Sequence, residues 1–198
     1  MKTIDRYLLN SYVYCAQSIN KIKLYFLRKH FKQVGKNFYI GFPYNSICGL
    51  KYISIGDNCN IKRNCFLGAI DHWEKDFFNP EIKIGNNFNM NFNCQITAIN
   101  KIVIGDNVLA GSRVYITDHF HGNITKEEIN IPPVKRSLFS KGPVIIGNNV
   151  WIASGVTILP NVTIGDNCII GANSVVTKSF EKNSVVAGNP AKLIKTLQ

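Results

Sequence analysis

An aliphatic side chain returns every six residues near the end of this 198-residue chain, at Ile146, Ile152, Ile158, Ile164, Ile170 and Val176. Few folds accommodate such a beat. An α-helix buries one face with a period of about 3.6 residues, a coiled coil with about 3.5, and a half-buried strand alternates. A six-residue period fits a chain that makes a short strand, bends, and makes another. Three hexads close a triangular coil of 18 residues, so Ile146 stacks on Ile164 and Ile152 on Ile170. Each coil lends its backbone hydrogen bonds to the next, as in other solenoids. Small or turn-forming residues follow the aliphatic one (Gly147, Ala153, Gly165, Gly171), and a second small apolar residue lies four positions on (Val150, Val156, Val162, Cys168). Gly, Asn and Asp gather where the chain must turn.

Earlier stretches carry the same beat with interruptions. Ile55, Ile61 and Leu67 form one ladder; Ile84, Met90, Ile96 and Ile102 form another, whose phase then slips by two residues to Ile104, Ala110 and Ile116. Two excursions break the pattern, residues 68–81 and 119–143. Long loops inside a compact domain are usually functional or disordered, and the second is the stronger functional candidate. The solenoid is expected over residues 37–198. Residues 1–36 read differently: Ile4, Leu8, Tyr12, Cys15, Ile19, Ile22 and Phe26 recur every three or four positions and share one helical face.

That segment also concentrates the charge. Of a formal net charge of +11, a net +7 (eight basic residues, one acid) lies in the first 36 residues. A basic amphipathic helix either caps the open end of the coils or lies on an anionic membrane surface. No run of about 18 apolar residues is present, and the N-terminus lacks the apolar block and cleavage site of a secretory signal, so a cytoplasmic protein, peripheral at the inner face of the membrane, is expected. The six cysteines (Cys15, Cys48, Cys59, Cys65, Cys94 and Cys168) form no C-x-x-C pair; they read as small buried hydrophobes rather than disulfides, and no ligand spacing supports a metal. The repeats lack the interleaved aromatic and basic groove of a nucleic-acid binder.

The hexads, the run NNVWIASGVTILPNVTIGDNCIIGANSVVTK and the closing AGNPAKLIK together resemble the hexapeptide-repeat acyltransferases, over residues 50–198. Within them the chain looks most like the maltose, galactoside, xenobiotic and polysaccharide O-acetyltransferase branch. The resemblance implies a left-handed parallel β-helix, an exception to the usual right-handed crossover. It also implies a homotrimer with active sites between subunits, acetyl-CoA as cosubstrate, no metal, and a sugar or lipid-linked sugar acceptor.

Acetyl transfer from a thioester to a hydroxyl needs a base, and histidine titrates near neutrality. Of four histidines (His30, His72, His119, His121), His119 in VYITDHFHG matches the family's catalytic residue at the start of the extended loop. His121 is the lesser candidate, as a substrate contact. Asp118 is expected to alternate away from His119 in an extended strand. Asn91 and Asn93 match a stretch that places the acceptor, while Ala98 and Ile99 stand where sugar-acetylating members carry acidic residues, which argues against a simple galactoside or maltose acceptor. By the same resemblance, Trp151 and Ser154 contact the pantetheine and thioester end of the cosubstrate. Ala172 and Thr177 offer backbone groups to the pantetheine amides. Lys178, Lys192 and Lys195 face its phosphates, with lysine replacing the family's common arginines.

The leading expectation is an acetyl-CoA-dependent O-acetyltransferase in cell-surface polysaccharide biosynthesis. The alternatives are a xenobiotic (antibiotic) O-acetyltransferase, an amino-sugar N-acyltransferase, and a non-catalytic β-helix scaffold.

Overall fold

The computed structural model describes residues 18–19, 21–43, 46–123 and 125–197. The chain winds through three flat parallel sheets that form the sides of a triangular prism. The first face stacks Gln33–Val34, Ile53–Ile55, Glu81–Ile84, Lys101–Ile104, Val144–Ile146 and Thr163–Ile164. The second stacks Tyr39–Ile40, Asn60–Ile61, Asn89–Met90, Leu109–Ala110, Trp151–Ile152, Ile169–Ile170 and Ser184–Gly188, closed by the antiparallel Ala191–Thr196. The third stacks Ser46–Cys48, Phe66–Ala69, Gln95–Ala98, Tyr115–Thr117, Thr157–Ile158 and Val175–Val176. Ile146 pairs with Ile164 and Ile152 with Ile170, as the 18-residue spacing requires.

Each short strand presents one side chain outward and the next inward. The inward columns, such as Ile61–Met90–Ala110–Ile152–Ile170, are at most 1% exposed and fill the prism. Burying each large aliphatic contributes about 1.5–3 kcal/mol. The two-residue phase slip has a simple cause. On the first face Lys101–Ile104 is four residues long and turns both Ile102 and Ile104 inward, so that side of the triangle holds an extra pair.

The corners explain the asparagines. Where the first face passes to the second, Asn37, Asn58, Asn87, Asn107, Asn149, Asn167 and Asn183 all adopt φ between 53 and 63°. Asparagine tolerates this left-handed conformation better than other residues with a Cβ. From Asn37 to Asn167, each side-chain amide donates to the oxygen of its neighbour on the next coil, over 2.8–3.2 Å. One position earlier, the Oδ1 atoms of Asp57, Asn86, Asp106, Asn148 and Asp166 accept backbone N–H groups of the preceding coil over 2.6–2.8 Å. Glycine precedes these residues because the coils approach closely: a Cβ on Gly105 would stand 2.8 Å from the Gly147 carbonyl oxygen.

The excursions leave from the third corner. The chain departs after Ala69, which still pairs with Ala98, forms the hairpin His72–Trp73/Asp76–Phe77, and returns at Glu81. It departs again after Thr117, pairs Phe120–His121 with Leu138–Phe139, and returns at Val144. Two features mark the N-terminal end. Coil structure begins at Gln33–Val34, which pair with Ser54–Ile55, ahead of residue 37. The helical stretch 21–28 packs on the coils through Leu24 and Leu27, followed by buried Phe31. The expected apolar face is turned outward: Ile19, Ile22 and Phe26 are 52–61% exposed, and Ile4, Leu8, Tyr12 and Cys15 lie outside the described residues. Cys59, Cys65, Cys94 and Cys168 are buried thiols, whereas Cys48 is exposed. No described helix is long and apolar enough to cross a membrane.

Candidate active site

The second excursion begins on a buried polar cluster. His119 is 9% exposed, and its Nδ1 lies 3.0 Å from Asp118 Oδ1 and 3.2 Å from Thr117 Oγ1. Asp118 is fully buried. Its Oδ1 also accepts the Ile99 backbone N–H at 2.9 Å, and its Oδ2 accepts those of Asn100 and Lys101 at 2.9 and 2.6 Å. These bonds fix the orientation of the carboxylate beside the imidazole. Thr97 Oγ1 donates to Thr117 Oγ1 at 3.2 Å, and the Thr117 hydroxyl donates to the His119 carbonyl at 3.3 Å.

This arrangement selects a tautomer. Nδ1–H donates to the Asp118 carboxylate, so Nε2 keeps its lone pair and is directed away from the anchor. A neutral imidazole held in this way can take a proton from a hydroxyl at Nε2. The expectation that Asp118 points away from His119 is therefore corrected. Strand alternation ends with Thr117, and at the corner beyond it adjacent side chains meet. The signal available in the sequence was the Thr-Asp-His run itself, read as a corner rather than a strand.

His121 is exposed, and its ring packs edge-on against Trp73 with centroids 5.1 Å apart, so the two excursions meet there. Asn91 and Asn93 occupy the second corner, between the second and third faces, with Asn93 at φ 60°. The strand Gln95–Ala98 separates them from the third corner, a rise of about 13 Å at 3.3 Å per residue. Imidazole and amides thus stand on different edges of one chain.

The residues expected at the cosubstrate fall into three places. Trp151 lies on the second face, 51% exposed, between Leu109 and Ile169 of the neighbouring coils. Lys195 pairs with Val185, which pairs with Ile169; the lane from Trp151 to Lys195 is thus three strand spacings, about 14 Å from backbone to backbone. Lys192 pairs with Ala187 on the same strand. Ser154 and Ala172 are on the second corner, where Ser154 Oγ accepts the Ser112 N–H at 3.2 Å. Thr177 and Lys178 are exposed on the third corner, two coils beyond His119. An apolar lane with lysines at one end and small residues along its border fits a long ligand with an uncharged arm and a phosphate-bearing head.

The comparisons agree with this architecture. A model of the bacterial transferase hexapeptide (six repeats) matches residues 143–178. WbbJ of Escherichia coli (strain K12), assigned as a lipopolysaccharide biosynthesis O-acetyl transferase, is 42% identical over 118 residues, which span 58% of this chain and 60% of WbbJ. A galactoside acetyltransferase solved in complex with coenzyme A superposes with a TM-score of 0.59 at 32% identity, over 87% of this chain and 68% of that one. A maltose O-acetyltransferase from Clostridium difficile 630 superposes with a TM-score of 0.53 at 31% identity, over 87% and 73%. The chain spans about three fifths of the length of the curated relatives it matches. With its prism of stacked hexads, its coil is a left-handed parallel β-helix, and the chain belongs to the hexapeptide-repeat transferase family.

Proposed function

We propose that the chain is an acetyl-CoA-dependent O-acetyltransferase that acetylates a hydroxyl of a sugar destined for a cell-surface polysaccharide. The observation that carries this reading is the Thr117–Asp118–His119 cluster, which leaves one imidazole nitrogen free as a base at the mouth of an extruded loop. The assignment of WbbJ to lipopolysaccharide biosynthesis supports the acceptor class. Residues 37–198 are the catalytic unit.

Bound acetyl-CoA supplies an activated thioester carbonyl. His119 Nε2 takes the proton of the acceptor hydroxyl as its oxygen forms the new ester bond, and returns it to the departing sulfur. Asp118 holds the ring throughout and stabilises the transient imidazolium. Asn91, Asn93 and His121 position the acceptor; Trp151, Ser154, Ala172 and Thr177 line the cosubstrate's arm, and Lys178, Lys192 and Lys195 its phosphates. Because the base and the amides occupy different corners, the complete site is assembled between copies, and a homotrimer is the proposed assembly. Light scattering of the purified chain reads the copy number directly.

The outward apolar residues Ile19, Ile22 and Phe26, among Lys21, Lys23, Arg28 and Lys29, support peripheral contact with an anionic leaflet. Sedimentation with anionic vesicles, with and without residues 1–36, tests it. The activity is tested by coenzyme A thiol release against a panel of sugars, nucleotide sugars and antibiotics. Release with a sugar acceptor, abolished by His119→Ala, is the expected result; release only with antibiotics would move the acceptor class, and none with any acceptor would leave a scaffold.

A further inference from the structure

At the N-terminal end of the second corner, on the same edge as Asn91 and Ser154, lies a cleft of about 490 Å³. It is lined by Lys21 from the helical stretch, by Lys62 and Arg63 from the corner itself, and by the aromatic rings of Tyr39, Phe42 and Phe92. No carboxylate lines it, and none of the three cations joins a salt bridge among the described residues. Three like charges held around one cavity repel one another and are stabilised together by an anion. The three aromatic residues are partly exposed: Tyr39, Phe42 and Phe92 by 41–49%. Two of them already carry cations, with Lys23 Nζ 3.4 Å from the Phe42 centroid and the Arg63 guanidinium 5.8 Å from that of Phe92. Phe42 also borders the neighbouring hollow formed by Lys23, Phe26, Leu27 and His30, so the cationic cleft continues into the exposed apolar side of the helix.

We infer that this cleft binds a diphosphate group, and that the acceptor is a glycosyl diphosphate. Lys21, Lys62 and Arg63 hold the phosphates, and the rings flank whatever the diphosphate carries on its other side. The inference rests on the acetyltransferase reading and deepens it. Asn91 follows Lys62 by one coil along the same edge, through the Lys62 N–H bond to the Met90 carbonyl at 2.8 Å. A diphosphate in the cleft therefore leaves its sugar beside the amides proposed to place the acceptor. The other end of the diphosphate has two chemical sources, a nucleoside or an isoprenoid lipid. Continuity with the apolar helix side favours the lipid.

The test is calorimetric binding to the full-length chain, without acetyl-CoA, of inorganic pyrophosphate, a uridine or thymidine diphosphate, and farnesyl diphosphate in detergent micelles. Pyrophosphate is expected to bind with an affinity that falls as salt rises, and farnesyl diphosphate more tightly than either nucleotide. Arg63→Ala is expected to weaken each roughly tenfold, and Lys62→Ala/Arg63→Ala roughly a hundredfold. A thermal melt of each variant shows that it is folded. His119→Ala is expected to bind all three as the parent does, which separates this inference from the catalytic one. Tighter binding of a nucleotide keeps the diphosphate site and replaces the lipid by a nucleoside. Three results overturn the proposal: no binding of pyrophosphate in near-physiological salt, equal binding by the double variant, or displacement of pyrophosphate by acetyl-CoA, which would give the cations to the cosubstrate.

Discussion

The first corner of the coil carries an asparagine in every turn of the prism, whereas the third corner hardly repeats itself. At the first, seven amides hydrogen-bond in file from Asn37 to Asn183. At the third there is a left-handed Gly49, a hairpin excursion, the short turn at Ile99–Asn100, the long excursion after Thr117, and Asn161. The repeated corner fixes the stacking; the unrepeated one carries the imidazole. The contrast shows how a repetitive fold acquires a site: it keeps two edges regular and lets the third depart, holding each departure with dedicated polar contacts.

Substitutions at four positions test that contrast. The largest effect is expected from Asp118→Ala. It removes the acceptor of three backbone N–H groups of the turn below, of which that of Ile99 is buried, and frees the His119 ring, so stability should fall by roughly 2–4 kcal/mol in chemical denaturation. An unchanged midpoint would mean that the departure needs no such anchor. His119→Ala should lower turnover by roughly 10²–10⁴-fold while leaving the denaturation midpoint close to the parent's. Loss of stability and activity together would erase the distinction between the two corners. On the regular side, Asn107→Ala removes two ladder bonds and strains a residue at φ 59°, for about 2 kcal/mol; Asn107→Gly, free of the strain, should cost less. Equal costs would show that the amide file, rather than the conformation, holds that corner.

The smallest effect is expected at the Glu81 pair. Lys101 lies 3.0 Å from this carboxylate and holds its titration below the usual 4.5, with Lys32 adding to the effect. The folded state therefore binds a proton less readily than the unfolded chain. The pair stabilises at neutral pH and ceases to do so as pH falls from about 5 through the lowered folded-state value. Both side chains are more than a third exposed, so Lys101→Ala should change stability by under about 1 kcal/mol, and by nothing in strong acid.

Much of this was legible in the chain itself. The six-residue beat located the inward columns from Ile146 to Val176, and even the two-residue slip after Ile102 proved to be a longer side of the triangle rather than a break. What could not be read is where local geometry escapes the period. Asp118 belongs to no strand, so alternation says nothing of its direction. The helical spacing of Ile19, Ile22 and Phe26 marks a common face but does not say whether that face meets the core or the exterior. Position along the edge was equally hidden: nothing in the separation of Lys21 from Lys62 announces that they share a cleft.

Successive rungs of the asparagine file are separated by 21, 29, 20, 42, 18 and 16 residues, yet every rung is made. The spine thus does not register how much chain was spent between two of its steps. A third-corner segment can be exchanged for another length or composition, and the prism will close behind it at the modest entropic cost of a longer loop. Residues 120–143 are therefore a segment that can be exchanged for a relative's, with Asp118 and His119 kept as the socket into which each replacement is plugged.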